Sequence, residues 1–235
     1  MGKHTSSAFA PGDFDVWMLA QSWAPHFCCH HADRCLTAPF SLSATHLSLH
    51  GLWPGFKEPR SGGQTFPASC EKAQALFPAF LPREYIDLAP SFTTYNAAER
   101  RADVGKLAIH EYKKHGTCSG LSPSSYFAEA LRAFGKLPGD RGTPQLLSQN
   151  VGGSVATNAL RSAYAAKVAL KADKLCRLTE VTSCFAVNAD GTVGELIDCP
   201  AHTMQSRDVG ERCASLRITQ LGQCLANDGQ HRKKK

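Results

Sequence analysis

Apolar and polar positions along this chain separate strand-like from helix-like stretches. Phe14-Asp15-Val16-Trp17-Met18-Leu19-Ala20-Gln21 is short and apolar enough to form a central strand buried on both faces. Thr45 to His50 alternates with a period of two: Leu47 and Leu49 point one way, and His46, Ser48 and His50 the other. Gly51 then ends or bends that strand. From Ala97 to His115 there is no proline and helix formers dominate, which predicts a helix with Gly116 as its C-cap. Ser122-Pro123 opens a second predicted helix running to about Leu137, and a third covers Val155 to Lys167. Strand patterns return at Leu178 to Val187 and Thr192 to Asp198, on either side of the turn Asn188-Ala189-Asp190-Gly191. Ser215 to Leu221 is read as a final strand.

Strands at both ends with helices between them predict an α+β fold, with a central antiparallel β-sheet, helices packed mainly on one face, and disulfide staples. No repeat, low-complexity linker or shift in composition divides residues 1–235, so a single domain is expected. Its ends are read as a loose N-terminus over residues 1–12 and a basic C-terminal tail over 226–235. A hydrophobic content of 43% in 235 residues supports one sizeable core. No apolar run approaches the ~18 residues that a helical membrane span needs.

Composition adds a compartment and a kind of partner. Ten cysteines at uneven spacings contain no C-x-x-C pair, which argues against a zinc ribbon or a thioredoxin-type redox motif. An even number without metal spacing points to disulfides, hence to a secreted or periplasmic protein. Met1-Gly2-Lys3-His4-Thr5 has no apolar signal core, so the chain is read as a mature form whose export signal has been removed. The net charge of +6, from 26 basic and 20 acidic residues, favours a polyanionic partner.

Two segments concentrate the chemistry: His50-Gly51-Leu52-Trp53-Pro54, and His110-Glu111-Tyr112-Lys113-Lys114-His115-Gly116-Thr117-Cys118. At ~100° per helical residue, His110, Glu111, Lys114 and His115 fall within one ~140° face. Two imidazoles, a carboxylate and an ammonium on one face gain a structural helix little, whereas a site that grips a phosphate and moves protons uses each of them. A zinc site of the H-E-x-x-H type requires histidines at i and i+4. Here i+4 from His110 is Lys114, which repels a metal, and the second histidine stands at i+5.

These segments resemble the paired signatures of the ribonuclease T2 family, a strand ending in His-Gly-Leu-Trp-Pro and a helix reading His-Glu-x-x-Lys-His-Gly-Thr-Cys. Phe14 to Gln21 followed by Ser22-Trp23-Ala24-Pro25, and the late Cys199-Pro200, are similar to further family features. The resemblance spans about residues 13–224. It implies a metal-independent endoribonuclease that cuts single-stranded RNA through a 2′,3′-cyclic phosphate, with no cofactor and no membrane partner. Monomer is the default state. In that scheme His115 is the general base, His50 the general acid, and His110 a phosphate-holding residue. Glu111 and Lys114 stabilise the transition state.

The resemblance also makes Trp53 a surface on which a base stacks; packing beneath the strand end is the plainer reading of the same residue. His46 matches no motif position and reads as a surface or supporting histidine. Gly55 stands where some members carry an adenine-selecting Asp, Ile109 where an aromatic often stands, and Ser22 where plant members often have Gln, so base preference does not carry over. The implied disulfides are Cys70–Cys118, Cys176–Cys213 and Cys184–Cys199; the pairing of Cys28, Cys29, Cys35 and Cys224 stays open, with Cys28–Cys35 plus Cys29–Cys224 taken as the working expectation. An alternative is a non-catalytic secreted polyanion-binding protein or effector on the same scaffold, which would have no need of His50, His110, Glu111, Lys114 and His115 together.

Overall fold

A computed structural model describes residues 9–223. The strands are β1 (Val16–Ser22), β2 (Ser48–Gly55), β3 (Thr93–Asn96), β4 (Arg101–Val104), β5 (Ser154–Ala156), β6 (Ala169–Ala172), β7 (Leu178–Val187), β8 (Val193–Ile197) and β9 (Ser215–Arg217). The helices are α1 (Ala24–His30), α2 (Arg83–Leu88), α3 (Lys106–Lys114), α4 (Pro123–Gly135), α5 (Gln145–Ser148), α6 (Thr157–Ser162) and α7 (Ala201–Arg207).

A five-stranded antiparallel sheet organises the molecule. Its order is β2-β1-β7, and the outer edge of β7 is shared by β6 at one end and β8 at the other. β1 lies between β2 and β7 and is buried on both faces, which its unbroken apolar run requires. Trp17 and Leu19 face the larger core together with Leu49 and Leu52 of β2 and Val181 and Phe185 of β7. α4 closes that face with Tyr126, Phe127, Ala130, Ala133 and Phe134, a stripe at helical spacing. Ser122 caps the helix by accepting from the Ser125 N–H, and Pro123 fills its first turn. Burial of each large side chain in this core contributes about 1.5–3 kcal/mol.

The opposite face carries a small cluster of Val16, Met18, Ala20, Trp53, Cys184 and Cys199, with α7 beside it through Met204. Here the candidate site residues gather. Four disulfides are formed among the described residues: Cys28–Cys35, Cys70–Cys118, Cys176–Cys213 and Cys184–Cys199. The expected Cys29–Cys224 bond and the basic tail lie outside the described residues. So does most of the N-terminus expected to be loose, but residues 9–12 are held. The Gly12 N–H donates to the Cys118 carbonyl at 2.9 Å, and the Phe9 ring packs 4.9 Å from Phe56.

Several expected elements take another form. The helix expected from Ala97 begins only at Lys106, because residues 93–104 form the β3–β4 hairpin. Thr93, Thr94 and Tyr95 favour extended backbone, and Arg100 turns the chain at φ 53°. Gly105 precedes α3, and a Cβ there would come within 2.7 Å of the Ser91 carbonyl. The helix expected over Val155 to Lys167 is only α6, since Val155 pairs with Leu216 of β9 and Lys167 is drawn toward Asp198. The final strand stops at Arg217 and pairs with β5, outside the main sheet. Gly51 does not end β2, which runs on to Gly55.

Candidate active site

A β-bulge positions the first histidine. Ala20 pairs with Gly51 and Gln21 with Leu49, so His50 is the extra residue with no partner opposite. Side chains of a regular strand alternate, and residues three apart face opposite ways. The bulge resets this alternation, so Leu49 and Leu52 both enter the large core while His50 and Trp53 both turn to the other face. The buried Tyr126 hydroxyl fixes the segment by donating to the Leu52 carbonyl at 2.6 Å. Gly51 is required by close approach: a Cβ there would lie 2.3 Å from Glu111 Oε2 and 2.6 Å from Trp53 Nε1. Those two atoms form a buried hydrogen bond in which Trp53 donates to Glu111 at 2.6 Å.

α3 and the turn after it supply the second half. Ala108 and Tyr112 enter the large core, Glu111 is buried toward the site, and His110 and Lys114 line the cavity rim. His115 follows as the C-cap, 5% exposed, its ring stacked on Trp53 at 5.2 Å between centroids. Gly116 is not a left-handed C-cap. It continues into a 3₁₀ turn, Gly116–Cys118, and its lack of a side chain serves contact, since a Cβ would sit 2.3 Å from the Tyr112 ring. Cys118 bonds Cys70, and the Ser69 N–H donates to the Lys114 carbonyl at 2.8 Å, so a neighbouring segment braces the helix end.

The six candidate residues of the two motifs converge. A cavity of about 260 Å³ is lined by His50, Trp53, His110, Glu111, Lys114 and His115, with Phe66, Lys171, Glu180 and Arg207 completing its wall. His50 Nε2 lies 3.6 Å from Glu111 Oε1, and its Nδ1 lies 3.2 Å from both Glu180 Oε2 and Ser22 Oγ. Burial alone would lower the His50 imidazole, but the hydrogen bond to Glu180 and the charges of Glu111 and Glu180 outweigh it. His50 therefore stands above its ordinary value, with Arg207 opposing. Burial takes His115 the other way, to about 2, reinforced by Lys114, His110, His50 and Arg207. Burial also raises the Glu111 carboxyl, against the pull of His50, the Trp53 N–H, His110 and Lys114.

Trp53 is not an open platform. It is 6% exposed, touches His115, and carries the Arg207 guanidinium 4.6 Å above its ring. Gly55 cannot carry a longer residue without rearrangement, since a Cβ would meet Met18 Cε at 2.6 Å. His46 lies away from the cavity, 3.4 Å from Asp140.

Sequence reasoning missed Phe66, Lys171, Glu180 and Arg207. Glu180 alone carried a signal, as the single charge within the buried strand Leu178–Val187. Among the described residues, the group able to hold a metal is elsewhere: His26, His30 and Asp173, with ligand atoms within 4.8 Å. An arginine already serves that carboxylate, Arg177 bonding Asp173 at 2.6 Å and reaching His30 Nε2 at 3.3 Å. No helix among the described residues is long and apolar enough to cross a membrane.

Comparison with known proteins converges on one family. The family model described as "Ribonuclease T2 family" matches residues 14–199. A ribonuclease of Aeromonas hydrophila is 34% identical over 131 residues, covering 54% of this chain and 49% of the relative. Ribonuclease I of Escherichia coli is 27% identical over 189 residues, covering 72% of this chain and 70% of the relative. The match thus spans about half the length of the first of these and more of the second. Among solved structures, trichomaglin, described as an S-like ribonuclease, superposes with a TM-score of 0.57 at 19% identity. It covers 89% of this chain and 99% of its own, a likeness of fold. With residues 14–199 matched and both signature segments facing one cavity, the chain belongs to the ribonuclease T2 family.

Proposed function

We propose that this protein is an endoribonuclease that cleaves single-stranded RNA by transphosphorylation. His115 takes the proton of the ribose 2′-hydroxyl, whose oxygen attacks the adjacent phosphorus. His50 gives its proton to the departing 5′-oxygen as the P–O5′ bond breaks, leaving a 2′,3′-cyclic phosphate and a free 5′-hydroxyl. Lys114 and His110 hold the phosphate, and Lys114 with Glu111 stabilises the crowded phosphorus of the transition state. Support comes chiefly from one observation: two imidazoles share a cavity while their surroundings favour opposite protonation states, one proton-bearing and one neutral. The low value of His115 is that of the free site. A bound phosphate brings the negative charge that raises it toward the range in which imidazole accepts a proton.

The nucleophile in this scheme belongs to the substrate, and the positive charge to Lys114 and its neighbours, so no metal-bound hydroxide is called for. Trp53 orders Glu111 and His115, and a base reaches its ring only in place of the Arg207 guanidinium. The disulfides support an oxidising, secreted or periplasmic setting, and a single monomeric domain is the simplest assembly.

Mass spectrometry of a short oligoribonucleotide after brief digestion in excess EDTA tests the reading. Cyclic phosphate ends beside 5′-hydroxyl ends are expected, with the all-deoxy analogue uncut because it lacks the nucleophile. A 5′-phosphate product, or cleavage of the deoxy strand, overturns it. RNA bound but never cut points to a polyanion binder instead.

A further inference from the structure

Glu180 is a charged residue inside a buried strand, and nothing in the scheme above uses it. It stands on β7, 7% exposed, on the face of the sheet that carries the cavity. Both of its oxygens are engaged: Oε2 lies 3.2 Å from His50 Nδ1, and Oε1 accepts from Arg207 Nη1 at 2.9 Å. Arg207 ends α7, and its guanidinium lies against Trp53, so the pair bridges three elements of the site. A carboxylate taken out of water is retained only where partners offset its desolvation. Burial would raise the Glu180 carboxyl, yet the hydrogen bond and charge of His50, with the charges of Lys171 and Arg207, hold it below the usual range.

We propose that Glu180, pinned by Arg207, is a positioning residue that holds His50 through Nδ1, so that Nε2 presents its proton to the departing 5′-oxygen. This rests on the transphosphorylation reading. With Nδ1–H donated to Glu180, the proton available for transfer is the one on Nε2, on the side where Glu111 lies. After transfer the ring is the neutral Nδ1–H tautomer, still held in place, with Nε2 ready to act as acceptor when water opens the cyclic phosphate. A histidine ring with a carboxylate behind it keeps its orientation and tautomer throughout. Other charged or titratable groups around the cavity are Lys171 from β6, His110, Glu111 and Lys114 from α3, His115 at its C-cap, and Arg207 from α7. Of these, Glu111 favours the protonated ring and Arg207 opposes it.

The test is Glu180→Gln, which keeps the shape and removes the charge. Cleavage of an oligoribonucleotide in EDTA is followed against pH, with His50 titrated by NMR in the free protein. Expected is a fall in kcat of about 10–100-fold, by analogy with loss of the carboxylate behind a metal-binding histidine, with KM nearly unchanged. The alkaline limb of the profile and the His50 titration both move to lower pH. A merely structural role would lower activity or stability without moving either, and an unmoved limb with an unmoved titration overturns the proposal. Wild-type protein gives a second test that needs no variant. Above its titration, His50 should be the Nδ1–H tautomer by ¹⁵N NMR, although free neutral histidine favours Nε2–H; finding Nε2–H overturns the proposal. If His50→Ala retains wild-type turnover, the general-acid assignment fails instead, while the NMR results still decide whether Glu180 holds the ring.

Discussion

The two histidines of one cavity keep different company. Around His50 the close partners are carboxylates, Glu180 on Nδ1 and Glu111 near Nε2, reached from a strand by way of a bulge. Around His115 the nearby charges are cations, and among the described residues its Nδ1 has no hydrogen-bond partner in a pocket walled by Trp53 and Phe66. Burial pushes both rings toward neutrality, so burial alone cannot tell them apart. The sign of the neighbouring charge does. One ring is a stored proton and the other an empty acceptor, and a reaction that removes one proton and supplies another needs that asymmetry before substrate arrives.

The largest effect should come from deleting either ring. His50→Ala and His115→Ala should each lower kcat/KM by ~10²–10⁴-fold with circular dichroism unchanged. The residual activities should differ in pH dependence. Wild type requires neutral His115 and protonated His50, so activity rises as His115 loses its proton and falls as His50 does. With His115 lowered and His50 raised, the plateau should extend on both sides of the ordinary histidine value. His50→Ala should erase the alkaline fall, and His115→Ala the acid one. A narrow wild-type bell centred between two ordinary histidines would contradict the opposed surroundings.

Next in size is the shared cation. Lys114→Ala should reduce kcat by ~10²–10³-fold, as for loss of a group that binds developing negative charge, and raise KM much less. Equal effects on both would mean that Lys114 binds substrate and transition state alike.

Smallest, and most specific to the contrast, are the two glycines. Gly51→Ala should press on Glu111 Oε2 and disturb the His50 side, lowering kcat more than stability. Gly116→Ala should press on the Tyr112 ring, which belongs to the core, and cost about 1–3 kcal/mol in thermal or denaturant unfolding. If Gly116→Ala is as stable as wild type, the close approach to Tyr112 does not explain that glycine.

Much of this site was legible in the sequence because its members are local. His110, Glu111, Lys114 and His115 are brought together by one short helix and its C-cap, and His50 and Trp53 lie three positions apart on one strand, so each group is close in sequence. The hairpin around Asn188–Gly191 and the helix opened by Ser122-Pro123 were legible for the same reason. Glu180 and Arg207 were not: they lie 130 and 157 positions beyond His50 and reach it only once β7 and α7 are placed. The β3–β4 hairpin was hidden by composition, since Ala97 to Arg101 suits a helix as readily as a turn and long-range packing decided. The bulge at His50 was hidden too, because a register shift is a property of two strands and cannot be read from one.

The bulge in β2 has a consequence for chain length. Because the extra residue sets which way every later side chain of the strand points, removing or adding one residue between Leu49 and Trp53 would send Leu52 to the site face and Trp53 into the core. The connection before it, residues 31–47, lies outside the main sheet and has no such register to keep. Insertions and deletions among natural variants and laboratory libraries should therefore be tolerated in its exposed middle, residues 36–41, and purged from 49–53, a boundary drawn by geometry a few residues from the site itself.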